Sequence, residues 1–455
     1  MPKNLLCRLI ALVFTVLAAQ GLATLGLSGR AAATEVRVAP NIYLVKDKPG
    51  TPLSFQMLVF AGCWDEAEAQ CKGLAHYLEH LVLVGRNPEH KDAAVRMFAT
   101  GYANGWTSAR ATVYVHAVPN GSTADLEQLF TFYAARLKDF AIPDAEAARE
   151  RNVVLQEHDW RVGSKPNFLL ARDLQRTLVP DHVAGQWTIG TKQSIEAMTL
   201  EQARAYHKAW YVLNNVAFVI KGDIDEATVK AISEKALAGL EPRALPRRNF
   251  FKPIEIVPGR QDIRRSHPTV QRASVIYRKL IRVPEPDLAV QRAERLLLMN
   301  YLSGELPGSL NHALRDAKNL AVGRPFIQLE RAAPQTYTLA IGAETAPDVS
   351  PEALLAAISA WVDALPANPV SAELLARLQS RFAANRANGD KDPKAVYNRL
   401  ISWLTNRQKY EDQALWPARV AAVTPASVNA IVAAVAAPGR IVTGILEPEK
   451  KDGSR

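Results

Sequence analysis

A break near the middle of the chain constrains its fold more than any other feature of the sequence. Residues 241–260 are rich in proline and arginine and have no sustained hydrophobic periodicity, which is typical of a linker. Of the 455 residues, roughly 200 lie on each side of it once a short leader is set aside, a comfortable size for one domain. The sequence therefore predicts two domains, over 34–240 and 261–455.

The two halves repeat one order of elements. Each begins with a strand-like run, continues through a helix and an alternating strand, and then has a long amphipathic helix followed by a second helix. The long helices start behind Ser122 in the first half and behind Ser350 in the second, and serine is a typical N-cap residue. The repeated order indicates an internal duplication, and helices packed on mixed sheets predict the α+β class.

Composition excludes several classes of protein. The 48% hydrophobic content is normal for a globular chain and argues against long disorder. Three cysteines cannot hold together a chain of this length, so the core must form by hydrophobic burial. The 55 Lys and Arg residues outnumber the 45 Asp and Glu residues but are spread without a basic block, so no nucleic-acid partner is expected.

The first 33 residues have the pattern of a secretory signal. Lys3 and Arg8 precede an apolar run over Leu9–Ala19, and small residues follow up to Ala33. Cleavage after Ala33 would leave a periplasmic or secreted protein with no stable membrane span. The alternative is an uncleaved anchor, since the apolar stretch is long enough to cross a membrane marginally.

Two cysteines remain after this segment, and they lie close together in the sequence. Cys63 and Cys71 belong to one polar segment, and an exported chain meets an oxidising environment. We therefore expect a local disulfide between them, and two unpaired thiols are the alternative.

Three polar residues share one face of a predicted helix. His76, Glu79 and His80 stand at positions i, i+3 and i+4 of a segment that favours a helix. Two imidazoles one turn apart can bind one Zn²⁺, and a carboxylate between them can accept a proton from water that the ion activates. A chance match is the alternative, but the rest of this face is apolar, and a polar trio is costly to bury without a ligand.

A catalytic zinc site needs a third protein ligand. The motif formed by His76, Glu79 and His80 resembles that of the pitrilysin-like family of inverted-motif zinc metallopeptidases, which includes insulinase and mitochondrial processing peptidase. In that family a glutamate ligand follows the motif about 70–80 residues downstream, and here Glu157 lies 77 positions after His80 in a second predicted helix. The resemblance implies one Zn²⁺ per chain, bound by His76, His80 and Glu157, with Glu79 as general base. It also implies that Glu150 supports the site, and that both halves are homologous domains with a mixed or antiparallel sheet, of which the second binds no zinc.

The resemblance extends to residues that would contact a substrate. Asn104, in the segment Gly101–Thr107, matches an asparagine that binds substrate backbone on an edge strand, although asparagine before glycine is also typical of an ordinary turn. Arg315 matches a substrate-gripping arginine, and a surface helix arginine is the alternative. The tyrosine that accompanies this arginine in the family is replaced here by Val322, and Arg110 stands where the family commonly has an aspartate.

Together these residues predict an exported zinc metalloendopeptidase that hydrolyses peptides or unfolded protein segments. Because a valine cannot donate a hydrogen bond to a developing oxyanion, a second hypothesis stays open. It is a catalytically weak or inactive assembly subunit that pairs with a related partner chain, and a homodimer is the other assembly considered. A zinc store or sensor is the least favoured hypothesis, because the sequence has no cysteine-rich or additional histidine cluster.

Overall fold

The computed structural model describes residues 35–83, 101–248, 252–285 and 287–449, and the predicted signal segment over 1–33 lies outside them. Two β-sheets, one in each half, form the framework, and helices pack on both, which confirms the predicted α+β class. Within the described residues no single helix is long and apolar enough to cross a membrane. Two bent pairs of helices have the length and composition that a span would need when the two helices of each pair are taken together.

Six strands form the sheet of the first half: β1 (Glu35–Ala39), β2 (Ile42–Lys46), β3 (Leu53–Val59), β4 (Tyr102–Thr107), β5 (Thr112–Val118) and β6 (Val216–Gly222). Their order across the sheet is β1-β2-β6-β3-β5-β4. Strands β2 and β6 pair in parallel, and the other neighbours are antiparallel. Among the described strands, this order leaves β4 at the edge of the sheet, without a neighbour on one side.

The helices of the first half are α1 (Leu74–Leu83), α2 (Thr123–Lys138), α3 (Asp144–Ser164), α4 (Pro166–Leu178), α5 (Lys192–Glu196), α6 (Leu200–Trp210) and α7 (Glu226–Leu237). The side chain of Ser122 caps α2 by accepting the backbone N–H of Asp125, as the sequence predicts. Phe55, Phe130 and Phe218 pack between the sheet and these helices. The same core includes the apolar side of α1, so packing fixes α1 against the sheet.

The sheet of the second half has five strands: β7 (Gly259–His267), β8 (Ser274–Arg282), β9 (Ala321–Ala333), β10 (Thr336–Thr345) and β11 (Arg440–Pro448). Their order is β7-β11-β8-β10-β9, with a parallel β7–β11 pair and antiparallel neighbours elsewhere. Strand β7 begins inside the predicted linker over 241–260. It forms there by pairing with β11, which comes from the far end of the chain, so local sequence does not indicate its start. Strand β9 is at the corresponding edge of this sheet and has a neighbour on one side only within the described part of the chain.

The helices of the second half are α8 (Leu288–Leu302), α9 (Pro351–Ala364), α10 (Ala372–Gly389), α11 (Pro393–Thr405), α12 (Asp412–Ala421) and α13 (Pro425–Ala436). Ser350 caps α9 by accepting the N–H of Ala353, as its sequence predicts. The segment around Arg315 differs from the expected helix, because His312–Asp316 forms one π-helical turn.

Each half also covers the sheet of the other. Leu170 and Leu174 of α4 pack in one apolar cluster with Leu280 and Val442 of the second sheet. Helix α11 of the second half contributes five buried residues to a cluster with strands β2, β3, β5 and β6 of the first sheet. Because each sheet is buried on this face by a helix from the other half, the packing fixes the two halves against each other.

Candidate functional site

Helix α1 carries His76, Glu79 and His80, and contacts at its first residues fix its position. The φ of Gly73 is +91°, and a Cβ atom there would lie 2.4 Å from the carbonyl oxygen of Ile189, so no larger residue fits before this helix. The buried carboxylate of Glu66 accepts the backbone N–H groups of Lys72 at 2.7 Å and Ala75 at 3.0 Å. These contacts satisfy free N–H groups at the helix start and fix the direction of α1.

Helix α3 brings Glu157 to the two histidines. The Oε2 atom of Glu157 lies 3.3 Å from Nε2 of His76 and 3.5 Å from Nε2 of His80. The three candidate ligand atoms all lie within 4.8 Å of one another. Zinc bonds of about 2.0–2.1 Å in a tetrahedral arrangement place ligand atoms about 3.3 Å apart. The residues present therefore match the spacing and the donor set of a zinc site.

The protonation of His76, His80 and Glu157 follows from their surroundings. Burial lowers the pKa of His76 to about 4, so this ring is neutral and its contact with Glu157 is not an ion pair at neutral pH. Burial also opposes the charged form of His80, but hydrogen bonds to Glu150 and Glu157 outweigh it and raise the pKa of His80 to about 9. Although burial disfavours its charge, the histidines and Arg161 lower the pKa of Glu157 to about 2. Metal binding must therefore release the proton of His80.

Glu79 lies on α1 on the side that faces the edge strand β4. Its burial raises the pKa of its carboxyl group to about 7, near the value that suits a general base at neutral pH. The Oγ1 atom of Thr107 donates a hydrogen bond of 2.6 Å to Glu79 Oε2. A Cβ atom at Gly105 would lie 2.6 Å from Glu79 Oε1, so the backbone of β4 runs directly past this carboxylate.

Two further charged contacts surround the candidate zinc ligands. Glu150 is buried, and its Oε2 atom lies 3.4 Å from Nδ1 of His80, on the side of the ring that faces away from Glu157. The guanidinium of Arg161 pairs with Glu157 Oε1, which leaves Oε2 facing the histidines. Sequence reasoning identified Glu150 but missed Arg161 and Thr107. Arg161, one helical turn after Glu157, could have been found from its i, i+4 spacing.

The two residues predicted to bind substrate lie in different halves of the chain. Asn104 lies on the exposed edge strand β4, and its side-chain amide donates a 2.7 Å hydrogen bond to the hydroxyl of Tyr102. Arg315 pairs with Glu305 and Asp316, which both belong to the second half. Val322 lies 40% exposed on the edge strand β9. Strand β4 therefore comes directly past Glu79, whereas the described contacts of Arg315 are within its own half.

The two cysteines form a disulfide. Cys63 and Cys71 close a short loop before α1, and both side chains are buried. The loop contains Glu66, whose carboxylate holds the start of α1. The bridge therefore braces the segment that leads into the helix of the predicted trio.

Comparison with protein families gives two matches along the chain. A family model described as insulinase, peptidase family M16, matches residues 42–192. A second model, described as the peptidase M16 inactive domain, matches residues 197–382. The first match contains the trio and Glu157, and the second contains Arg315 and Val322.

Individual relatives agree with these matches. The probable mitochondrial-processing peptidase subunit beta of Schizosaccharomyces pombe is 30% identical over 183 residues, which are 39% of this chain and 38% of that protein. A protease from Helicobacter pylori has a similar structure, with a TM-score of 0.75 at 19% identity over 92% of this chain and 100% of that one. The periplasmic protease PqqL from Escherichia coli has a TM-score of 0.72 at 16% identity over 93% of this chain and 48% of that one. The alignments to three curated relatives span 21–40% of those proteins' length.

Proposed function

This chain belongs to the pitrilysin-like M16 peptidase family, and we propose that it is an exported zinc metalloendopeptidase that hydrolyses peptides or unfolded protein segments. The observation that carries the proposal is the convergence of three donor atoms within 4.8 Å of one another next to a buried carboxylate. The named zinc proteases among its relatives support the same reaction class.

The chain's own residues divide the work between them. His76, His80 and Glu157 would hold one zinc ion, which supplies Lewis-acid polarisation and lowers the pKa of water. Glu79 accepts the proton when water attacks a peptide carbonyl, and it returns the proton to the leaving nitrogen. Glu150 holds the ring of His80 by its Nδ1 atom, so that Nε2 faces the ligand position.

The open edge of β4 would bind the substrate in extended form. An extended peptide can add to an unpaired strand edge through main-chain hydrogen bonds, and β4 has no neighbour on that side among the described strands. Asn104 would then add a side-chain hydrogen bond to the peptide backbone. Because β4 passes Glu79 at Gly105, a peptide bound there lies within reach of the proposed base.

Removing the metal is expected to abolish hydrolysis. Dialysis of the purified chain against a chelator should remove about one zinc ion per chain, measured by atomic emission, together with peptidase activity on a quenched fluorogenic peptide. Adding one equivalent of Zn²⁺ should restore activity. Hydrolysis that persists in demonstrably metal-free protein would contradict the proposed function.

The alternative function, an assembly subunit that serves a related partner chain, is favoured by one feature of the second half. Arg315 is occupied by Glu305 and Asp316, and valine replaces the tyrosine expected at 322. Size-exclusion chromatography coupled to the fluorogenic assay separates the two hypotheses. Activity that elutes with the isolated chain would reject the pure assembly function, whereas activity that needs a related partner would support it.

Replacing Thr107 by valine should lower kcat without removing the metal. A hydrogen bond to a charged group is worth about 1.5–3 kcal/mol, so we expect kcat to fall by about tenfold or more while KM and zinc content stay near wild type. Thr107→Ser retains the hydroxyl and should restore most of the rate. Equal kcat values for the valine variant and the wild type would show that this contact does not position Glu79.

A further inference from the structure

Four arginines gather where the open edges of the two sheets approach each other. We call Arg110, Arg292, Arg295 and Arg331 the arginine junction. Arg110 lies in the turn between β4 and β5, and its Nη2 donates a 3.3 Å hydrogen bond to the carbonyl oxygen of Arg331 on β9. Arg295 of α8 donates a 2.6 Å hydrogen bond to the carbonyl oxygen of Leu329, two residues earlier on β9. These guanidinium groups therefore lie along an open strand edge of the second half.

The positive charge of the junction is only partly balanced. Arg331 forms a two-pronged pair with Glu285, at 2.7 and 2.8 Å, and the same carboxylate accepts a hydrogen bond from Tyr337. Arg110 stacks over the ring of Trp64 at 4.9 Å, a contact that adds no negative charge. Glu330 is exposed. Among the described residues, Glu285, whose side chain is 8% exposed, is therefore the shielded carboxylate that faces this group of arginines.

Arg292 differs from the other arginines of the junction in its hydrogen bonds. It is half-buried on α8, and no described residue accepts a hydrogen bond from its guanidinium. Burial, followed by the charges of Arg295 and Arg331, lowers its pKa. The charge of Glu285 opposes this lowering only in part, so an anion placed beside Arg292 would relieve the remaining repulsion among the arginines.

The junction lies beside one end of the strand that would hold the peptide. Strand β4 ends at Thr107, the donor to Glu79, and Arg110 lies in the turn that follows. In this turn the backbone N–H of Ser108 donates to the carbonyl oxygen of Ala111 at 2.8 Å, and the chain reverses. A peptide that adds to β4 therefore has one of its ends directed toward this turn.

We propose that the arginine junction binds a carboxylate of the peptide substrate, with Arg292 as the guanidinium that receives it, so that the protein selects peptides with an acidic group in the part that extends toward the turn after β4. Arginine presents a planar fork that matches a carboxylate with two parallel hydrogen bonds. The inference rests on the proposed function for the direction of the peptide past Glu79. It adds a substrate class, peptides with an acidic residue or a free terminal carboxylate in the part that lies beside this turn.

A binding experiment tests the junction without hydrolysis. The probes are fluorescent ten-residue peptides with an amidated C-terminus, each carrying a single Glu at a different position, and their counterparts with Gln. Their binding to the full-length Glu79→Gln chain is measured by fluorescence anisotropy. We expect at least tenfold tighter binding for Glu at one or two positions, and near equality after Arg292→Gln is added. Arg377→Gln, which removes an exposed arginine of α10, is the matched control and should keep the preference. A peptide series with a free C-terminus separates a terminal carboxylate from an acidic side chain, and tight binding of either one supports the proposal.

Equal affinity for the Glu and Gln peptides at every position, with both kinds of C-terminus, would overturn the proposal. A preference that survives Arg292→Gln would also overturn it. Arg292→Lys provides a second variant that keeps the charge but not the fork, and it should retain only part of the preference. Binding is measured in a variant that lacks the proposed base, so it does not depend on hydrolysis. A wild-type chain that shows no metal-dependent hydrolysis would therefore contradict the proposed function and not the junction.

Discussion

Replacing Glu79 by glutamine is expected to lower kcat for peptide hydrolysis by about 10³-fold while the chain keeps about one zinc ion. Glutamine has nearly the same size, and its amide can still meet Thr107, but it cannot accept the proton of water. The change leaves the three candidate zinc ligands, His76, His80 and Glu157, in place. The loss should therefore appear in the rate and not in metal content or folding.

Two further variants make this result specific. Glu201→Gln changes an exposed carboxylate on α6 and should leave both rate and zinc content unchanged. Glu157→Gln should lower zinc content as well as rate, because it removes an anionic donor. If the Glu79→Gln chain hydrolyses the fluorogenic peptide at a rate similar to the wild type, another group acts as base and the proposed mechanism is wrong.

Much of the architecture could be predicted from local sequence signals. The starts of α2 and α9 behind Ser122 and Ser350 follow from capping chemistry, which acts over three residues. The parallel pairing of β7 with β11 and the exchange of α4 and α11 between the sheets could not, because both depend on contacts between distant segments. The domain boundaries over 34–240 and 261–455 stay predictions.

The candidate site divides in the same way. The helical spacing of His76, Glu79 and His80 is visible in the sequence, and the resemblance to a family supplied Glu157, which the structure brings to the histidines. Thr107 has no such signal, since it lies 28 positions from Glu79 on a strand whose direction depends on the whole sheet. The roles assigned to these residues stay predictions until metal binding and hydrolysis are measured.

Asp65 ties the two halves together near the site. Its side chain has no solvent exposure, and its carboxylate lies 3.2 Å from Nε of Arg248 in the predicted linker and pairs also with Arg407 of the second half. Arg407 donates a second hydrogen bond, at 3.0 Å, to the carbonyl oxygen of Arg110. Because Asp65 precedes Glu66, which holds the start of α1, contact between the halves and the position of the metal helix share one short segment.

Replacing Asp65 by alanine should therefore destabilise the protein strongly. Breaking a buried ion pair from one side costs about 3–5 kcal/mol, because the partner charge stays buried, and the 15% and 22% exposure of the two arginines favours the lower end of that range. We expect urea unfolding to show a loss of about 3 kcal/mol, and a combined loss for Asp65→Ala with Arg407→Met that is smaller than the sum of the two separate losses. Glu234→Ala, which removes an exposed helix pair, should change stability by less than about 0.5 kcal/mol. An Asp65→Ala chain as stable as the control would mean that apolar packing between the sheets and the exchanged helices holds the halves together without this ion pair.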